Sequence, residues 1–259
     1  RGGGETTLSN IVARVPGTSD SCIVLVAHID ACANRSPGWL GVWRSAVAPG
    51  ANDNATGVSV LLELLTRTMH AGKRPRFTIL FAVVNAEERN PDYGGPARRL
   101  RHHLGSRSLA SWLVRTRASV RCALAIDMVG WHPSRDQVAL FSSHAGQSVA
   151  KELRGRIEAG GGSLRVVGGT MNCRYSDNES FEQAGMPSLL IMEACRPWRG
   201  EGDLPRNPWY HTSADTPEHV RLSTVVATVD WLWDWLEWLR ASGTTPVQPR
   251  TDVAGPDPS

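Results

Sequence analysis

Phe77–Val84 is a continuous apolar run, without the polar alternation of a half-exposed strand. A strand of that kind must be covered on both faces, which happens where helices lie on either side of a parallel sheet. Cys122–Val129 is a second such run. Ile11–Val15 and Ile23–Ala27 read as neighbouring strands, with Pro16-Gly17 turning the chain between them. Val138–Phe141 is a further strand, and Ser188–Met192 is the last central one. Between these lie helical patterns. Val58–Met69 repeats apolar residues at Val58, Leu61, Leu62, Leu65 and Met69, and Ser148–Glu158 runs to a stop at Gly160-Gly161-Gly162. Strand–helix alternation predicts an α/β fold, a largely parallel sheet with helices on both faces.

Thr224–Ser242 reads as a long helix. Val229, Leu232, Trp235, Leu236 and Leu239 form its core stripe, with Trp231 and Trp238 at the flank and Trp233 towards the polar side. The 259 residues suit one domain over 1–242, and the Pro-rich stretch 243–259 reads as a disordered tail. A net charge of +3 does not favour a nucleic-acid partner. No apolar run approaches the ~20 residues that span a bilayer. The chain starts at Arg1 without the charged-then-apolar pattern of a signal peptide, and reads as trimmed there. Secreted and cytoplasmic locations both stay open, as does the oligomeric state.

Arg98, Arg99, Arg101 and Arg107 fall with His102 and His103 in one helical stretch, which reads as a solvated helix face. None of the five cysteines forms a C-x-x-C pair, so zinc held by thiolates is not expected. Cys22 and Cys122 read as core residues; Cys173 has Cys195 or Cys32 as disulfide partners in reach of loops.

The candidate chemistry sits at strand ends. One strand runs into His28-Ile29-Asp30, another into Asn85-Ala86-Glu87-Glu88, a third into Asp127. In a parallel sheet those ends share one edge, where open α/β sheets place their sites. The pair Glu87-Glu88 is the hardest to explain without function. Two carboxylates ending a buried strand repel each other, and burying them costs several kcal/mol unless a positive charge compensates. A divalent metal supplies that charge, and imidazole with carboxylate suits zinc, with manganese or cobalt as substitutes. Asp53, in the glycine-bounded loop Gly50–Gly57, and His211, after Tyr210, add two donors from loops. An Asp before a helix is otherwise an N-cap.

In their order, His28-x-Asp30, Gly50-Ala-Asn-Asp53-Asn-Ala-Thr-Gly57, Asn85-Ala-Glu87-Glu88, Ile126-Asp127-Met and His211-Thr resemble the M28 family of zinc aminopeptidases. The resemblance runs from about Ile11 to Val220. It implies a three-layer α/β/α sandwich around a mixed, mostly parallel sheet, and a pair of zinc ions bridged by Asp53, one also held by His28 and Asp127, the other by Glu88 and His211. It implies Glu87 as general base and Asp30 as the carboxylate that orients the His28 ring. A peptide or amino-acid amide is the implied substrate. Tyr175, Ser176, Asp177, Asn178 and Tyr210 are expected to line its pocket, with an Asp-capped helix start as the alternative for Tyr175–Asn178. Two departures stand out: Arg89–Gly95 replaces a Gly-rich turn after the glutamates, and Asn178 stands where family members often carry His. Glutaminyl cyclases, single-zinc acyltransferases, and non-catalytic receptor ectodomains resemble the family too and are alternative readings, as is a hydrolase of the same chemistry acting on a dipeptide or an acylated amino acid.

Overall fold

The computed structural model describes residues 7–42, 45–88, 102–160, 162–169, 175–194, 196–197, 199 and 205–242. Among them, seven strands form one sheet: β1 (Ile11–Val15), β2 (Ser19–His28), β3 (Phe77–Val84), β4 (Ser119–Ile126), β5 (Gln137–Ser142), β6 (Arg165–Val167) and β7 (Ser188–Met192). The order is β1-β3-β2-β4-β7-β5-β6. β3, β2, β4 and β7 run parallel, β6 is parallel to β5, and the β1/β3 and β5/β7 pairs are antiparallel. The expected mixed, mostly parallel sheet is therefore present.

Helices cover both faces. α1 (Thr56–His70), α3 (Gln147–Gly160) and α5 (Leu222–Ala241) lie on one; α2 (Leu104–Arg115) and the short α4 (Asn178–Gln183) lie on the other. The central strands feed both cores by alternation. Ile23, Leu25, Ile79, Phe81, Leu124 and Ile126 pack with Leu61, Leu64 and Trp235. Val24, Val26, Leu80, Ala82, Ala123 and Ala125 pack with Leu109, Leu113 and Phe181. That is why these runs carry no polar phase.

The expected β1–β2 neighbourhood is wrong. β1 pairs antiparallel with β3, and β3 separates it from β2. After Val15 the chain crosses the start of β3, where Thr18 N–H bonds the carbonyls of Pro75 and Arg76. Gly17 makes the crossing fit, since a Cβ there would sit 2.3 Å from the Phe77 carbonyl carbon. Burial explains the arrangement: β2 is apolar towards both layers and needs a strand on each side, whereas Ile11 and Val12 are exposed and suit an edge. β6 is a strand that the sequence reading did not assign.

In α5, Trp231 is buried rather than flanking, and its Nε1–H donates to the Leu153 carbonyl at 2.8 Å. Trp233 is half-buried and packs against the core rather than standing out on the polar side. Trp235 is fully buried, but its Nε1 bonds nothing among the described residues. Trp235→Ala is therefore expected to cost about 3–5 kcal/mol in chemical denaturation, and Trp235→Phe to recover most of it. The phenylalanine removes an unsatisfied donor along with some volume. A Phe variant as unstable as the Ala variant would show that the indole does more than fill space.

The helical reading of the Arg/His stretch is corrected in part. Helix α2 begins at Leu104; His103 precedes it with a left-handed φ of 57° and is buried. Arg98, Arg99 and Arg101 lie outside the described residues, as do Arg89–Gly95, Cys173, Cys195 and the tail 243–259. Cys22, Cys32 and Cys122 are free thiols. Among the described residues no helix is long and apolar enough to cross a membrane.

Candidate active site

The parallel strands β2, β3, β4 and β7 end on one edge, and each delivers an acidic or imidazole group there. His28 is the last residue of β2 and is buried. Glu87 and Glu88 follow β3, Asp127 follows β4, and Glu193 follows β7; all four are buried. Sequence reasoning overlooked Glu193, although it obeys the same rule as the others: a carboxylate directly after an apolar strand.

Two loops complete the arrangement. The segment from Gly50 to Gly57 is tied to its neighbours by polar side chains. Asp215 accepts from the backbone N–H groups of Asn52 and Asp53 at 2.9 and 3.0 Å. Asn54 donates to the Ile126 carbonyl at 2.9 Å and accepts from Gly57 N–H at 3.0 Å. Asn52 donates to Glu193 at 2.7 Å, and Asn207 holds the same carboxylate. Gly57 lies so close to β4 that a Cβ would meet the Ile126 carbonyl oxygen at 2.3 Å. These ties hold the loop against the end of β4, next to Asp127. Asp53 is not a helix N-cap: that position belongs to Ala55, and the Asp53 carboxylate turns inwards.

Asp53 sits between two imidazoles. Its Oδ1 lies 3.3 Å from His28 Nε2, and its Oδ2 lies 3.2 Å from His211 Nε2. His28 Nε2 is also 3.4 Å from Asp127 Oδ1, and His211 Nε2 is 3.0 Å from Glu88 Oε1. His28 Nδ1 faces the Asp30 carbonyl at 2.9 Å. A carbonyl only accepts, so Nδ1 carries a proton and Nε2 is the ring atom turned to the carboxylates.

Asp30 thus orients the ring through its backbone, not through its side chain, whose nearest oxygen is 3.8 Å from Nδ1. The Asp30 carboxylate instead accepts from the N–H groups of Glu87 and Glu88 at 3.1 and 3.0 Å, fixing the turn that carries both glutamates. Asp30→Ala is expected to cost about 2–3 kcal/mol, because it strips two part-buried donors of a charged acceptor. It is also expected to weaken metal affinity roughly 10–100-fold. Zinc titration with a competing chelator reads the second effect; unchanged affinity would reduce Asp30 to a fold-stabilising turn.

Glu87 has a different partner. His103 Nε2 lies 2.9 Å from its Oε1, while His103 Nδ1 lies 3.4 Å from Glu179 Oε2. His103 and Glu179 were not picked out as site residues. His103 sits in a turn, off the periodic face of α2, so no pattern marks it. Ser176, Asp177 and Asn178 are buried at the start of α4, and Tyr175 is largely exposed. Asp177 occupies the N-cap position of α4 but gives it no side-chain bond. Tyr210 stacks on the His211 ring at 3.7 Å.

Burial opposes charge on every one of these groups. Asp53 still lies below the usual carboxylate range, because burial is outweighed by the hydrogen bonds of His211 and His28. Glu88 is pushed up to about 8 by burial and the Asp53 charge. Burial alone would depress His211, yet Glu88 and Asp53 raise it to about 10; His28 is raised in the same way, chiefly by Asp127. Glu87 is lowered, since His103 overcomes its burial, and Asp177 is raised to about 7 by burial and the charge of Glu87. Protons gather on imidazoles that face carboxylates, which is where cations would otherwise sit.

The donor set fits metal ions. Atoms of His28, Asp53 and Asp127 lie within 4.8 Å of one another, as do atoms of Cys32, Glu88 and His211. Asp127 Oδ1 and Glu88 Oε1 are buried and take no hydrogen bond of good geometry among the described residues, although an imidazole nitrogen lies within 3.4 Å of each. Carboxylate oxygens and imidazole nitrogens converging at such distances call for positive charge, supplied by protons in the metal-free protein and by cations when they are bound.

A family model described as Peptidase family M28 matches residues 10–236. Leucine aminopeptidase 1 of Aspergillus oryzae is 29% identical over 198 residues, covering 71% of this chain and 46% of that protein. Leucine aminopeptidase 1 of Emericella nidulans is 33% identical over 198 residues, with 71% and 45% covered. The chain thus spans about half the length of these curated relatives. Among solved structures, an aminopeptidase from Aneurinibacillus sp. strain AM-1 superposes with a TM-score of 0.66 at 21% identity, over 93% of this chain and 50% of that one. BSAP, a zinc aminopeptidase from Bacillus subtilis, gives 0.61 at 24%, over 88% and 48%. An Acidobacteriales bacterium glutaminyl cyclase gives 0.66 at 18%, over 90% and 73%.

Proposed function

The chain belongs to peptidase family M28, and from that premise we propose that it is a two-metal aminopeptidase hydrolysing the N-terminal bond of peptides or amino-acid amides. One observation carries the reading: the two oxygens of Asp53 face two separate imidazoles, each of which also meets its own second carboxylate. His28 and Asp127 would hold one ion, Glu88 and His211 the other, and Asp53 both. Imidazole with carboxylate suits zinc, and the oxygen content admits manganese or cobalt. When bound, such a pair lowers the pKa of a water towards ~7 and polarises the scissile carbonyl.

Glu87 is then left to move the proton. It is assigned to neither ion, and its hydrogen bond to His103 keeps it ionised and aimed. It takes the proton of the attacking water and delivers it to the leaving amine. His103, itself raised to about 10 as Glu179 and Glu87 outweigh burial, supplies the compensating charge. Asp177, buried near Glu87 and assigned to neither ion, offers a carboxylate for a free α-amino group. The names of the curated relatives favour the same exopeptidase reading.

A panel of aminoacyl-arylamides, run on purified protein before and after chelation and zinc return, tests the proposal. Metal-dependent release of the arylamine from at least one member is expected. With two metals bound, no hydrolysis of any member would end the aminopeptidase reading and leave an amide hydrolase of other specificity. The likeness to a glutaminyl cyclase supports a second reading, a single-zinc acyltransferase. One zinc per active chain, with cyclisation of glutaminyl peptides, would establish it instead.

A further inference from the structure

We infer that Cys32 is a further metal ligand, its Sγ joining Glu88 and His211 on the second ion. The inference rests on the two-metal reading above and adds a thiolate to it. The Sγ, a Glu88 oxygen and a His211 ring nitrogen lie within 4.8 Å of one another. Cys32 is a free thiol. The second observation comes from Glu88, which is only 8% exposed and whose buried Oε1 meets His211 Nε2 at 3.0 Å yet takes no hydrogen bond of good geometry among the described residues.

The local backbone makes this placement more than proximity. The loop carrying Cys32 is stitched to the loop carrying His211. Asn34 Oδ1 lies 3.3 Å from His211 Nδ1, and Arg35 N–H donates to the His211 carbonyl at 2.9 Å. Ser213 N–H donates to Ser36 Oγ at 2.8 Å. Contacts from three consecutive residues, Asn34, Arg35 and Ser36, set where Cys32 stands relative to the ring. Asn34 Oδ1 accepts from His211 Nδ1–H, which leaves Nε2 as the atom that would ligate.

The chemistry balances simply. A metal–sulfur bond forms, the S–H bond breaks, the proton leaves to solvent, and no group changes oxidation state. The two ions then differ in character. The first has nitrogen and oxygen donors, and the second adds a soft sulfur, which favours zinc or cobalt over manganese or magnesium.

Cobalt loading of the full chain tests this independently of turnover. Two cobalt ions per chain are expected to give a near-ultraviolet thiolate-to-cobalt charge-transfer band. Cys32→Ser should lose that band, keep the visible ligand-field bands and bind its second zinc roughly 10–100-fold more weakly or worse. Should the variant fail to fold, iodoacetamide labelling of the unaltered chain serves, with Cys32 read by peptide mass. Zinc is expected to slow labelling of Cys32 by about tenfold or more, because a metal-bound thiolate is a poor nucleophile. Two bound cobalt ions without the band, a band that survives Cys32→Ser, or labelling that zinc does not slow would overturn the inference and leave the two-metal site standing. Failure to bind a second ion overturns both. The band without any arylamide hydrolysis would uphold Cys32 and overturn the peptidase reading.

Discussion

Glu87→Gln is expected to lower kcat by roughly 100- to 10,000-fold, the range that a positioned general base contributes. The amide is nearly isosteric and still offers an oxygen to His103 Nε2, now 2.9 Å from Glu87 Oε1. It cannot accept a proton from water at neutral pH. Since Glu87 is assigned to neither ion, both metals should remain, and KM should move far less than kcat. Metal content by elemental analysis, thermal melting and steady-state kinetics on the best arylamide read the three expectations separately. A variant that keeps two metals and retains activity within about tenfold of the parent would remove Glu87 from the proton path. A variant that loses a metal would show that Glu87 is itself a ligand.

Chelation is expected to abolish turnover and to lower Tm by about 10–20 °C. With each ion at about a hundred times its dissociation constant, the pair contributes about 5 kcal/mol. A chain of this size shifts by about 2–4 °C for each kcal/mol. The structural cause is the crowd of carboxylates, Asp53, Glu87, Glu88, Asp127 and Asp177, buried on one sheet edge. Without cations, that edge is neutralised by protons on imidazoles raised to about 10 at His211 and well above the usual value at His28. The sign of the pH dependence follows. At neutral pH the metal-free ligands hold protons that the ions must displace, so loading releases protons and tightens as pH rises. Titration of metal into lightly buffered protein, with pH recorded, reads the release. A chelated protein with unchanged Tm, and zinc uptake without proton release, would contradict the electrostatic account.

The strand-end donors were legible because their signal is local. An apolar run that stops at His28, Glu87 or Asp127 declares both a buried strand and a polar group held at its end. The same signal marked Glu193 and went unread. Asp53 and His211 had no such marker; only the order of motifs singled them out. His103 was misread because a stretch dense in arginines looks solvated, and nothing in sequence shows that one imidazole turns inwards.

What the sequence determined by itself was the kind of fold and the edge on which chemistry gathers. Continuous apolar runs require cover on both faces, and parallel strands align their C-terminal ends. Only the tertiary structure decided that β1 borders β3, that the Asp30 carboxylate clamps the glutamate turn while its carbonyl orients His28, and that the Cys32 thiol lies within 4.8 Å of donor atoms of Glu88 and His211. Those outcomes depend on which distant surfaces meet. Periodicity and composition report whether a side chain is buried; they carry no record of its neighbour across the fold.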